Sequence, residues 1–230
     1  MKKISVLLMA VCLLFTGCAK SQDSASVEST ASYEAADDNT ADVVQSAASK
    51  TIYPIPDTTM DNLNDAILSV SLEEGDAYVD ENGIMLMDLK IYTYDKYDMV
   101  DIASLNIGDT ILTRSGKVKL TSREQSDTGI IHINGGLEEG GFDLVTNDSG
   151  IFYEAGFNDV KSWYEIGEIT LPVSADFVFI DKSDLNQGEV MFNQDSFLSN
   201  GTVNYDFSPH NTTIRVEDAK IVEMNRVYTP

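Results

Sequence analysis

The chain has 230 residues, with 38 acidic and 15 basic side chains and a formal net charge of −23. That excess argues against nucleic acid as a partner, because binding it means neutralising phosphates. It argues equally against direct adhesion to an anionic membrane surface.

In chain order, the first stretch is residues 1–20. Lys2 and Lys3 open it, residues 4–15 form a short apolar run, and Leu14-Phe15-Thr16-Gly17-Cys18 follows. The run is too short to span a bilayer, which takes about 20 residues. A charged start, an apolar run and small residues in that order read as a secretory signal, here residues 1–17. The ending Phe15-Thr16-Gly17-Cys18 resembles the lipobox of bacterial lipoproteins. That resemblance implies cleavage between Gly17 and Cys18 and a diacylglyceryl group on the Cys18 thiol. It also implies acyl chains of the palmitate kind and a mature protein held at the extracytoplasmic face of the cell membrane. Each buried CH₂ contributes roughly 0.8 kcal/mol, so two chains anchor stably where one does not. The chain has two cysteines, Cys12 and Cys18, and Cys12 leaves with the signal. The exported part then has no internal disulfide, and its core depends on burial alone.

Residues 18–56 read as the lipidated cysteine and a disordered acidic tether. Residues 21–49 contain no Lys or Arg and few large apolar side chains. Such a segment cannot bury enough surface to offset the entropy of ordering it. As a coil it would reach roughly 35 Å. Tyr53-Pro54-Ile55-Pro56 ends it in extended backbone.

Residues 57–230 suit one domain. The pattern predicts strands over 66–72, 76–80 and 84–94, the last two joined at Glu81-Asn82-Gly83. In 84–94 the set Met85, Met87, Leu89 and Ile91 should face the core. Asp98 caps a short helical turn. Further strands are expected at 110–113, 117–121, 129–134, 142–145, 151–154, 168–173, 176–180, 212–217 and 220–228. The last two form a hairpin across Asp218-Ala219. Many short strands with regular turn signals predict a mainly β unit, a single antiparallel sandwich or a small barrel-like domain. The run 105–111 is similar to turns that enter strands of small β-barrels. The whole resembles acidic all-β lipoproteins of Gram-positive bacteria, a likeness that implies no particular activity.

Side chains for chemistry are sparse. Asp181, Asp184, Asn186 and Glu189 cluster oxygens on one loop and are the candidate Ca²⁺ ligands, loosely similar to an EF-hand loop. Asp80-Glu81-Asn82-Gly83 is a turn first and a metal candidate second. His132 and His210 form no zinc motif, and His132 is expected to face solvent. The glycine loop 135–141 contains Glu138 and Glu139, which would repel phosphate. No G-x-S-x-G or S-x-x-K is present, so the sequence leans away from an enzyme. Tyr92, Tyr94, Tyr97 and Trp163 are the candidate binding surface, as aromatics that stack on sugar rings or line a protein interface. The expected role is thus a lipid-anchored surface protein that binds a glycan or protein partner outside the cell. The alternatives are a carbohydrate or cell-wall hydrolase using paired carboxylates and a calcium-stabilised adhesive domain.

Overall fold

The computed structural model describes residues 49–156, 160–201 and 206–229. The signal, Cys18 and most of the expected tether lie outside the described residues.

The chain builds a closed five-stranded barrel interrupted by a second β layer. The barrel strands are β3 (Ala66–Ser71), β5 (Met85–Thr93), β13 (Tyr164–Lys182), β15 (Thr212–Glu217) and β16 (Lys220–Val227). β3 pairs with β5, β5 with β13, β13 with β16, β16 with β15, and β15 returns to β3. All these pairings are antiparallel except β13–β16. This ring order makes a Greek-key barrel of the OB type. Strict alternation in β5 buries Met85, Met87, Leu89 and Ile91 and turns Leu86, Asp88, Lys90 and Tyr92 outward, as the pattern predicts. The two strands expected at 168–173 and 176–180 are one strand of 19 residues. Its first half pairs with β5 as far as Pro172, and its second half pairs with β16 from Val173 onward. Pro172 therefore sits where the strand changes partners, and its missing donor breaks no continuous ladder. The register shift between Val173 and Val178 bends the strand around the barrel.

β14 (Val190–Phe192) and β4 (Ala77–Val79) flank the ring. Between β14 and β15 lies α2 (Gln194–Ser196), closed by a reciprocal capping box between Asn193 and Ser196. It leads into a wider turn, Phe197–Gly201, which carries Phe197 fully into the barrel core. There its ring meets Phe177 at 5.8 Å and Phe179 at 5.2 Å, both edge-on.

The second layer is threaded between β5 and β13. β6 (Asp95–Tyr97), β12 (Phe152–Ala155), β11 (Phe142–Thr146), β10 (Ile131–Ile133) and β9 (Arg123–Gln125) form an antiparallel sheet in that order. β7 (Thr110–Thr113) and β8 (Gly116–Lys119) form a hairpin in another sheet. Asp98 caps α1 (Met99–Ala103) by accepting from the Val100 N–H, as expected. Ile102, Leu105, Ile111, Ile131, Ile133 and Leu144 fill a core of the inserted layer's own, separate from that of the barrel.

The expected tether ends too late in the sequence. β1 (Thr51–Ile52) pairs in parallel with β7, and β2 (Ile55–Pro56) adds to β6 as an edge strand. Ile52 is 3% exposed, so ordered packing begins before residue 57. Two-residue strands are too short to show a period, and an edge strand tolerates Pro56 because its N–H side needs no partner.

Candidate functional site

Two places gather polar side chains. The first is on the barrel wall. β5 and β13 run side by side with Lys90 opposite Glu168 and Asp88 opposite Thr170. These four point outward, and the Thr170 hydroxyl donates to Asp88 Oδ1 at 2.6 Å. The end of the β3–β4 connection runs along the other edge of β5, continuing the β4–β5 ladder. The Asp88 N–H donates to the Asp76 carbonyl at 2.8 Å, and the Glu73 N–H donates to Asp76 Oδ2 at 2.7 Å. The result is a cleft of about 510 Å³ lined by Glu73, Asp76, Asp88 and Glu168, with Lys90 as its single cation. Four carboxylates around one ammonium set a negative potential in a concave wall, which concentrates cations.

The second place is the crossing between barrel and inserted layer. Its inner face carries the acids. β12 pairs with β6 through Phe152↔Tyr97 and Tyr153↔Lys96, and the same register sets Glu154 across from Asp95. The Tyr164 hydroxyl, at the start of β13, donates to Asp95 Oδ1 at 2.7 Å, and the Arg114 guanidinium lies 4.6 Å over the Tyr164 ring. Burial, then the neighbouring Asp95, push the Glu154 carboxyl up, with Arg114 opposing. Burial also pushes the Tyr164 hydroxyl up to about 12, helped by its bond to Asp95, and raises Tyr97 well above the usual phenol range. On the other face, Lys161 sits among three rings. Its Nζ is 4.3 Å from the centre of Tyr94, 5.4 Å from Trp163 and 5.8 Å from Tyr153. Burial holds this ammonium below its ordinary range. Lys96 and Asp57 pair beside it at 2.9 Å.

A carboxyl raised in the fold binds its proton more tightly there than in the unfolded chain. Ionised Glu154 therefore destabilises, with the cost growing as pH rises from the unfolded value of 4.5 through the higher folded one. Glu154→Gln is expected to raise the melting temperature at pH 7 by a few degrees and to leave it unchanged below pH 4. Thermal denaturation at the two pH values checks this.

Of the aromatic surface expected from Tyr92, Tyr94, Tyr97 and Trp163, two members are buried and two are partly exposed. Tyr94 is 5% exposed and Tyr97 1%. Alternation lapses at Thr93-Tyr94-Asp95, all three buried, because the chain there leaves one sheet for another and is covered on both sides. Tyr94 and Trp163 do come together, edge-on at 4.9 Å, while Tyr97 donates to the Leu112 carbonyl in the other core. Tyr92 accepts from Ser71 at 3.1 Å on the barrel wall. Lys161, Glu154 and Arg114 escaped the sequence reading, since single polar residues on short strands carry no periodic signal.

Three of the four candidate Ca²⁺ ligands are engaged by neighbours. Asp181 takes the guanidinium of Arg226, with Nε at 3.1 Å, and Glu189 pairs with Lys182 at 2.9 Å. Asp184 accepts from the Asn186 N–H at 2.8 Å in a local turn. Among the described residues, no group of three or more Asp, Glu, His or Cys side chains is placed to hold a metal ion. Asp80 accepts from the Ile84 and Asn82 N–H groups, which hold its carboxyl below the usual range despite partial desolvation. His132 is half-buried rather than solvent-facing, with Nδ1 2.7 Å from Asp143. His210 is exposed. No family model, curated protein or solved structure matches this chain.

Proposed function

We propose that the protein is a lipoprotein of the extracytoplasmic membrane face, anchored through Cys18, whose barrel binds a cationic partner in the acid-lined cleft. The anchor rests on the order of Lys2-Lys3, the apolar run and Phe15-Thr16-Gly17-Cys18. The binding role is carried by one observation: Glu73, Asp76, Asp88 and Glu168 surround Lys90 in a concave wall. By analogy of fold, the face of the second and third strands of such barrels takes oligomeric ligands, and β5 and β13 are those strands here. Amino-bearing glycan chains and lysine-rich protein segments both have the required charge.

The hydrolase alternative draws on Asp95 and Glu154. Asp95 is 9% exposed and accepts a hydrogen bond from the Tyr164 hydroxyl, so it is engaged inside the crossing rather than open to a polymer. This supports the binding reading.

One experiment with two arms tests the proposal. In cells, the protein should take up labelled palmitate, and Cys18→Ala should take up none. With purified protein, fluorescent oligolysine should bind at low salt, and Glu73→Gln/Glu168→Gln should weaken it about tenfold, roughly 1.4 kcal/mol. Absence of palmitate from the unaltered protein, or equal labelling of the Cys18→Ala protein, would overturn the anchor. Unchanged affinity in the double variant would overturn the cleft.

A further inference from the structure

Charge on this chain is segregated. Between Asp109 and Glu124 lie 14 residues without an acid, the longest such run in 57–230, and they contain Arg114, Lys117, Lys119 and Arg123. The fold turns this run into the β7–β8 hairpin and the start of β9. β8 is the outer strand of its sheet. Val118 packs against the core of the inserted layer, so alternation sends Lys117 and Lys119 to the opposite side, where both are exposed. A two-residue step sets the two side chains about 7 Å apart in a line.

Of the cations outside this run, Lys96, Lys182, Arg215 and Arg226 each meet a carboxylate. Lys117, Lys119 and Arg123 have no ion pair among the described residues, and Arg123 Nε is buried without a hydrogen-bond partner. The strip is also held rigid. Asn134 takes a left-handed backbone with φ 54°. Its Oδ1 accepts from the Thr121 and Ser122 N–H groups at 2.8 and 3.2 Å, and its Nδ2 donates to the Lys119 carbonyl at 3.0 Å. A strained non-glycine residue that clamps a connection fixes the cations on either side of it.

We infer that this hairpin edge docks a narrow, linear polyanion. A flat anionic membrane would face the acids of the surrounding surface as well as the strip, and those charges act unscreened within about 8 Å. A thread meets the strip alone. No Phe, Trp or Tyr occurs between Tyr97 and Phe142, so the strip itself carries no aromatic side chain on which the bases of a single-stranded nucleic acid would stack. What remains is a chain polymer with regularly spaced negative groups and no need for ring stacking. This reading is independent of the acidic cleft.

The probe is long-chain inorganic polyphosphate, titrated into the purified chain by calorimetry at 50 and 200 mM salt. Binding is expected at 50 mM and should fall steeply at 200 mM as released counterions are penalised. Lys117→Glu/Lys119→Glu should weaken it at least tenfold with an unchanged melting temperature. Lys220→Glu, which lowers net charge away from the strip, should bind like the unaltered protein. The inference is overturned by absence of binding at 50 mM, or by equal binding of the double variant. Equal binding to anionic lipid vesicles, or to single-stranded DNA of matched charge, overturns it as well.

Discussion

Replacing Asp181 by asparagine is expected to destabilise the protein by about 3–5 kcal/mol, the range for stripping a buried charge of its counter-ion. Arg226 is 6% exposed and lies with its guanidinium 5.6 Å over Phe179 and 4.7 Å over Phe207. Asp181 faces it from β13, bonded to both Nε and Nη2. Asparagine keeps the shape and removes the charge, so the buried guanidinium loses the carboxylate of Asp181. The pair also has a pH signature. Burial alone would raise the Asp181 carboxyl, but hydrogen bonds from Arg226 and Ser183 outweigh it and hold it below 3.8. Stability from a lowered carboxyl is fully present above the unfolded value and is lost as pH falls through the folded one. Urea denaturation at pH 7 and pH 3 checks both points. The gap between the two proteins should be wide at pH 7 and narrower at pH 3. An equal gap at both would mean that the charge does not carry the effect.

Phe197→Ala should cost about 3–5 kcal/mol, the range for truncating a fully buried ring. Phe197 is 0% exposed and touches three other rings, Phe177, Phe179 and Phe207. The turn that carries it has no other fully buried side chain among the described residues. Its loss therefore leaves a cavity that the short α2 segment cannot collapse to fill. Phe197→Leu, which keeps much of the volume, should lose clearly less. Chemical denaturation of the two variants separates packing from a local backbone effect, since the latter would make them equal.

What was legible beforehand follows from how local the signal is. The β5 alternation, the Asp98 cap and the hairpin at Asp218-Ala219 each rest on neighbours a few residues apart, and all three stand in the structure. The mainly β class follows from the same cues. Features set by distant partners were not legible. Asp181 and Arg226 are 45 residues apart, and nothing in the loop 181–189 discloses that its first acid faces a guanidinium rather than a cation from solution. β1 and β2 exist only because β7 and β6 receive them. Tyr94 reads as an exposed strand aromatic until the chain is seen to change sheets beneath it. The cleft likewise depends on β5 and β13, separated by the whole inserted layer, lying side by side.

That separation bears on how the molecule assembles. The inserted layer consists largely of hairpins, whose partners meet soon after they exist. The barrel is different: β3 must find β15, and the ring waits on β16, the latest strand in the chain. Loop closure over such spans is paid in entropy before any pairing rewards it, so the ring should be the slow step. A chain that appears from its N-terminal end passes through a stage with one layer finished and β3 and β5 still holding unsatisfied edges. For that interval the open strands are its most adhesive part, and the dense negative charge that keeps copies apart does most for the protein before it is folded.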